Sequence, residues 1–316
     1  MKRLMLIACL AAPFLPVNVQ AQQNRVEISI TPVTGPVYML QGGGGNIGVV
    51  ADPLGVLMID AMETPSSDQI RAAIKSLPGG ERVRILVDTH WHSDHTDGNK
   101  SLGLGAAIIA HENVRPLMGG EQDQPGRKAG AGPAAALPNV TYSDRLTVYA
   151  GGEEIRLVHY SHAHTDGDTV VFLDKSKVVH MGDMFFNGRF PFLDVANGGD
   201  IDNWVRQIDA ILAVLPADSK IIPGHGPLAS TADLKAFRQM LYDSAEIVRK
   251  EMKEGKTLEQ VKAAGLPERF APWSKGFMSR AGLPQPGETG RQVTPQALTA
   301  PSPPPELDSA TTTRRR

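Results

Sequence analysis

The segment Thr89-His90-Trp91-His92-Ser93-Asp94-His95-Thr96-Asp97-Gly98-Asn99 constrains this chain more than any other. It carries three histidines and an aspartate at the spacing H-x-H-x-D-H, directly after the apolar run Val83–Val87. Such a run reads as a strand, so the segment falls where a loop presents side chains at a sheet edge. In an extended stretch alternate residues share a side, which lets His90 and His92 grip one ion together. Asp94 and His95 then reach a second position close by. Imidazole and carboxylate donors suit zinc, with manganese or iron as alternatives. The competing reading is a turn that happens to carry surface histidines.

Further candidate ligands stand at the ends of later strands. His164 lies in Ala163-His164-Thr165-Asp166-Gly167-Asp168, just before the run Thr169–Leu173. Asp183 follows Val178–Met181 in His180-Met181-Gly182-Asp183, and His225 follows Lys220–Ile222 in Ile222-Pro223-Gly224-His225-Gly226. Each is flanked by glycine or small residues where a loop meets a sheet.

The element order around these segments sets the architecture. Short β-type runs at Val26–Ile30, Val37–Gln41, Ile47–Ala51 and Val56–Ile59 suggest a meander of hairpins, with Gly42–Gly45 as one tight turn. Pro65–Leu77 reads as a helix with Thr64 as its N-cap. Strands at Val83–Val87 and Ala106–Ala110 follow, then a short helix Glu112–Met118 and a Gly/Ala/Pro-rich loop over 119–138. That loop is either a lid or a plain insertion. A second strand set covers Leu146–Tyr149, Ile155–Tyr160, Thr169–Leu173 and Val178–Met181. A helix at Asp202–Leu215, a strand at Lys220–Ile222 and a long amphipathic helix at Ala232–Glu254 complete the pattern. Two sheets back to back with helices outside satisfy that order, an α/β (α+β) class.

The chain ends read differently. Met1-Lys2-Arg3, the apolar stretch Leu4–Leu15 and Val19-Gln20-Ala21 have the form of a secretory signal cleaved after residue 21. Cys9 is the only cysteine and lies within that segment. A lipoprotein-type cleavage before Cys9 would leave too short a hydrophobic region. Export to the periplasm or the outside is therefore expected. Residues 283–316 hold seven prolines and end in Arg314-Arg315-Arg316, the composition of a disordered tail. The domain itself is expected over 22–282. The whole 316-residue chain is 41% hydrophobic with net charge −2, which supports a sizeable core and argues against a nucleic-acid partner. No apolar run long enough to span a bilayer occurs beyond the N-terminus.

The T-H-W-H-S-D-H, A-H-T-D-G-D, strand-G-D and P-G-H-G segments, in that order, resemble the motifs of the metallo-β-lactamase-fold hydrolase superfamily. The resemblance spans about residues 35–230 and implies a four-layer αββα sandwich with a two-metal site at one edge. It implies that His90, His92 and His164 hold one zinc ion, that Asp94, His95 and His225 hold a second, and that Asp183 bridges them. Two such ions, about 3.5–4 Å apart, share a hydroxide able to attack a carbonyl or phosphoryl centre. Asp94 then also has a catalytic role, orienting that nucleophile. His162 lies two residues before His164 and competes with it as ligand; the following Thr-Asp-Gly-Asp favours His164.

The remaining residues are read more plainly. His111 is expected as a helix cap or surface group, and His159 and His180 as hydrogen-bonded structural residues. Asp97, Asp166 and Asp168 either orient the histidines or form turns beside glycine. On substrate, the resemblance discriminates through Asp183. True β-lactamases of this fold generally carry Cys or Ser there, whereas glyoxalase-II-like and lactonase-like hydrolases carry Asp. The expectation is an exported hydrolase of a small-molecule ester, lactone, thioester or amide. A β-lactamase is the alternative within the family, and a non-catalytic zinc-binding periplasmic protein the alternative outside it.

Overall fold

The computed structural model describes residues 26–120, 123–124, 127–128 and 132–275. The expected signal (1–21) and Pro-rich tail (283–316) lie outside the described residues. The first sheet opens with β1 (Ser29–Thr34), β2 (Val37–Gln41), β3 (Ile47–Val50) and β4 (Val56–Ile59) as an antiparallel meander. It continues with β5 (Val83–Val87) and β6 (Ala107–His111), which run parallel to β4. A two-strand hairpin follows, β7 (Asp123–Gln124) with β8 (Arg127–Lys128), before β9 (Val140–Tyr142) closes the first sheet beside β6.

The second sheet has six strands in chain order: β10 (Arg145–Ala150), β11 (Glu153–His159), β12 (Thr169–Leu173), β13 (Val178–His180), β14 (Lys220–Ile222) and β15 (Ala229–Ser230). Only β13 and β14 pair in parallel, because the helix α5 (Ile201–Val214) lies between them in sequence. Such a crossover is what a parallel pair requires.

Strand alternation explains the layering. Val50, Leu57, Ile59, Val87 and Ile109 pack against Ile155, Leu157, Val171, Leu173 and Ile222 to form the core between the sheets. Their neighbours Val49, Met58, Leu86 and Ile108 point the other way, onto Ile70 and Ile74 of α1 (Ser67–Ile74). On the far side Val170, Phe172, Val179 and Ile221 pack against Trp204 and Ile208 of α5 and Leu234 and Phe237 of α6 (Thr231–Lys253). The central strands are thus buried on both faces, which is why they read as continuous apolar runs. The result is the expected αββα sandwich. Asp200 caps α5, and a Ser230/Asp233 capping box starts α6. Arg238 forms a bidentate pair with Asp209 across the two helices.

Several local expectations are corrected. The first strand lies at Ser29–Thr34 instead of Val26–Ile30. Thr64 does not cap a helix: its hydroxyl donates to the Asp97 carbonyl, a 3₁₀ turn occupies Thr64–Ser66, and α1 starts at Ser67. The helix after β6, α4 (Val114–Gly119), starts later than Glu112. His111 ends β6, is buried, and stacks on His159 with ring centroids 3.5 Å apart. The last helix, α7 (Leu258–Ala264), and the 3₁₀ segment Glu268–Trp273 were not expected.

Candidate metal centre

All the candidate ligands meet at one edge of the sandwich, in loops at strand ends. The Asp88–Thr96 loop leaves β5, Asp183 follows β13 and His225 follows β14. His164 comes from the loop that enters β12. The β5 loop is fixed by backbone bonds: Gly45 N–H donates to the Asp94 carbonyl (2.9 Å) and Ala61 N–H to the His95 carbonyl (2.7 Å). His92 is extended, and residues Ser93–Thr96 (α2) form one helical turn that swings Asp94 and His95 away from His90 and His92. Hence one short motif serves two positions.

Two groups of side chains result. His90, His92, His164 and Asp183 offer donor atoms within 4.8 Å of one another, all buried. Asp94, His95 and His225 form the second group, partly open to solvent. In the first, His90 Nε2 and His92 Nδ1 are 3.0 Å apart, and His92 Nδ1 and His164 Nε2 2.9 Å. In the second, Asp94 Oδ2 lies 3.2 Å from His225 Nε2 and 3.6 Å from His95 Nε2. Asp183 faces both: Oδ2 is 3.5 Å from His164 Nε2, while Oδ1 is 3.0 Å from His95 Nε2 and 3.4 Å from His225 Nε2. A Cβ on Gly224 would fall 2.0 Å from Asp183 Oδ1, so the residue before His225 has to be glycine.

These donors fit a cation. In four of the five histidines the other nitrogen is engaged as an N–H donor. His164 Nδ1 donates to the Phe192 carbonyl (2.9 Å), His92 Nε2 to Asp194 (3.0 Å) and His95 Nδ1 to Asp60 (2.8 Å). His90 Nδ1 donates to the Thr89 hydroxyl (3.1 Å), which itself donates to Asp60. The inward nitrogens of His90, His92 and His164 therefore carry lone pairs, aimed at one another. Asp183 Oδ1 is buried and accepts no hydrogen bond. Ligands about 2.0–2.1 Å from a tetrahedral zinc ion stand about 3.4 Å apart, close to the spacings found here.

Electrostatics agree with that chemistry. Burial and the neighbouring His95 hold His90 well below the usual histidine range. Burial takes His164 down to about 4, so both are neutral ligands at pH 7. Burial acts against charge on His95 and His225 as well, but Asp183 and Asp94 outweigh it, raising His95 and taking His225 up to about 9. Burial likewise opposes ionisation of Asp183, and His95 and His225 overcome it, leaving the carboxyl well below the usual range. The carboxylates that would hold a cation thus hold protons on these two histidines, so binding a cation releases protons.

His162 is in neither group. It is exposed, with φ of +51°, and its Nδ1 meets the Gly198 carbonyl at 3.1 Å. Of the three aspartates expected to orient ligands, only Asp168 touches that machinery. It accepts from the backbone N–H of His164 and Thr165 and from the Thr165 hydroxyl. Asp97 instead accepts from Thr64 N–H and Lys100, and Asp166 from Asn113. His180 and His159 are structural: His180 Nε2 donates to the Asn46 carbonyl, and His159 Nδ1 to that of Asp168.

The orienting residues that the sequence did not reveal are Asp60 and Asp194. Asp60 is fully buried after β4 with φ of +66°, and accepts from Thr89 N–H, the Thr89 hydroxyl and His95. Asp194 accepts from His92 and from the Trp91 indole N–H (3.2 Å). Neither belongs to a motif; the only signal for Asp60 is a lone carboxylate directly after a wholly apolar strand.

Residues 40–225, which contain every one of these groups, match the family described as the metallo-β-lactamase superfamily. The chain belongs to that superfamily. With its His/Asp cluster it is a metal-dependent hydrolase. It is 21% identical to the type 2 metallo-β-lactamase of Bacteroides fragilis, over 73% of this chain and 94% of that protein. It is 25% identical to the 2,4-dinitroanisole O-demethylase subunit alpha of a Nocardioides strain, over 63% of this chain but only 58% of that protein. Among solved structures, the metallo-β-lactamase of Pontibacter korlensis superposes with a TM-score of 0.56 at 20% identity, covering 68% of this chain and 99% of that one.

Proposed function

We propose that His90, His92, His164, Asp94, His95, His225 and Asp183 hold two zinc ions, and that the enzyme cleaves an ester, lactone, thioester or amide bond of a small molecule. The observation that carries this reading is the inward-facing lone pairs of His90, His92 and His164 beside an Asp183 carboxylate whose two oxygens serve different groups. When bound, two such ions supply a water-derived nucleophile near neutral pH and an electrophile for the carbonyl oxygen.

The chain's own residues do the rest. Asp60 and Asp194 fix the tautomers of His95 and His92, so that the correct nitrogens face inward. The buried first group keeps bulk water from His90, His92 and His164. Asp94, about one-third exposed, stands at the open side, where its carboxylate orients the attacking water. Asp183 favours ester, lactone and thioester substrates over β-lactams, on the family's pattern at the bridging position. β-Lactam hydrolysis is the second reading, favoured by the near full-length match to the Bacteroides fragilis enzyme. The leader-like first 21 residues support action in the periplasm or outside the cell.

The test is turnover by zinc-loaded protein of a chromogenic ester, a lactone, a thioester and a chromogenic cephalosporin, with His90→Ala as control. Ester, lactone or thioester turnover that the control loses is the expected result. Turnover of the cephalosporin alone moves the reading to a β-lactamase, and no turnover of any of the four overturns it.

A further inference from the structure

The glycines Gly42–Gly45 turn the chain between β2 and β3, and each stands where a side chain would meet a different neighbour. A Cβ on Gly45 would fall 2.2 Å from His95 Cε1. One on Gly44, where φ is +122°, would fall 2.9 Å from the Asp94 carbonyl oxygen. The inner half of the turn thus lies directly on the second ligand group. Gly45 N–H donates to the Asp94 carbonyl (2.9 Å), and Asn46 N–H to that of Gly224 (2.7 Å), the residue before His225. Asn46 Nδ2 adds bonds to the carbonyls of Pro223 (2.9 Å) and Gly226 (2.8 Å), on either side of His225. One turn therefore buttresses Asp94, His95 and the His225 loop together.

The outer half of the turn meets a part of the chain that carries no motif. β1 and β2 pair antiparallel with Ser29 opposite Gln41, so the residues before β1 run back alongside the turn. A Cβ on Gly42 would fall 2.3 Å from Ile28 Cδ1, and one on Gly43 3.2 Å from Val26 Cγ2. Val26 and Ile28 are half-buried and Glu27 between them is exposed, the alternation of an extended segment with one face inward. Ile28 is itself anchored on the apolar cluster between the first sheet and α1. Glycine loses more conformational freedom on ordering than any other residue, and four in a row have no side chains with which to hold a turn. Val26 and Ile28 supply the missing contacts.

We propose that Val26 and Ile28 are positioning residues of the second metal position: they hold Gly42 and Gly43 in place, and the turn passes that order on to Asp94, His95 and the His225 loop. The N-terminal segment is then part of the catalytic edge, although it lies outside the residues 40–225 that match the superfamily. Shortening these two side chains loosens the turn and weakens the second ligand group, while the buried first group keeps its ion. This deepens the two-zinc reading above and rests on it for the ion, but not for the order of the turn.

The experiment compares full-length wild type with the double variant Val26→Ala/Ile28→Ala and with Ile30→Ala. Ile30 packs on the same cluster as Ile28 but stands opposite Leu40, away from the turn, so its truncation reports loss of packing alone. Zinc competition against a chromophoric chelator resolves the two binding steps, and His225→Ala marks the step that belongs to the second group. Amide hydrogen exchange of peptides covering 42–46 is read on the zinc-free proteins. In the double variant the marked step weakens about tenfold, the other step moves less than about 3-fold, and exchange over 42–46 quickens at least about fivefold. Ile30→Ala lowers the thermal midpoint but leaves the marked step and the exchange at wild-type values. An unchanged marked step in the double variant, or an equal weakening in Ile30→Ala, overturns the assignment. If wild type shows a single zinc step, that counts against the two-zinc reading; quickened exchange in the double variant alone then upholds the hold on the turn, and unchanged exchange overturns it.

Discussion

Replacing Asp60 with asparagine tests how the second ligand group is held. Asparagine keeps the size of the side chain and, like aspartate, tolerates the positive φ of +66° at this position. What changes is hydrogen-bond logic. Asp60 accepts three hydrogen bonds, from Thr89 N–H (2.8 Å), the Thr89 hydroxyl (2.9 Å) and His95 Nδ1 (2.8 Å). An amide has one oxygen and one NH₂. If its oxygen keeps Thr89 N–H, its NH₂ faces His95 Nδ1, and His95 must carry its proton on Nε2, the atom that points at Asp183 and Asp94. If the amide is turned round, NH₂ meets N–H. Either way one buried interaction is lost and the ligand nitrogen is compromised. Loss of such a supporting partner weakens metal binding by about 10–100-fold, or about 1.4–2.8 kcal/mol. The assay is zinc competition against a chromophoric chelator, resolving two binding steps. One step is expected to weaken by that amount and the other to move less than about 3-fold. Two unchanged steps, or two equally weakened ones, would refute the reasoning that Asp60 acts through His95.

Asp194→Ala removes the partner of His92 Nε2 and Trp91 Nε1, so the same titration should weaken the other zinc step by about 10–100-fold; weakening of the Asp60-sensitive step instead contradicts the assignment. Gly45→Ala would place a Cβ 2.2 Å from His95 Cε1 and 2.5 Å from its Nε2. Overpacking of this kind costs about 1–3 kcal/mol, so the variant should fold with a lower thermal midpoint and bind one zinc instead of two; two zinc ions at wild-type affinity would show that His95 is not displaced. His180 is fully buried, and burial takes it down to about 4. A base lowered on folding costs nothing above its unfolded value near 6.5 and destabilises progressively as pH falls towards 4, by about 3 kcal/mol at the limit. Urea unfolding of chelator-treated protein should therefore show a smaller acid loss in His180→Gln than in wild type, and parallel pH profiles would contradict this.

What could be read from the sequence follows from how its signals are distributed. The H-x-H-x-D-H run compresses four donors into six residues, and Asp183 and His225 sit beside glycines required by close approach or positive φ; all seven residues meet in space. Central strands such as Thr169–Leu173 and Val83–Val87 were legible because both faces are buried. Short elements were not. The three residues of β9 pair with β6, about 31 residues earlier, and the two of β15 with the three of β14; runs so short carry no periodicity of their own. His111 was misread because a residue between a strand and a helix looks like a cap, whereas stacking on His159, remote in sequence, buries it. Asp60 and Asp194 were invisible because their role lies in one contact each with a histidine 35 and 102 residues away.

The most direct test of the account is anomalous diffraction at the zinc edge from crystals of zinc-loaded protein. The account predicts two zinc peaks about 3.5–4 Å apart, with one oxygen of Asp183 towards each, His90, His92 and His164 on one ion, and Asp94, His95 and His225 on the other. A single peak, or two peaks with Asp183 bound to neither, would contradict it.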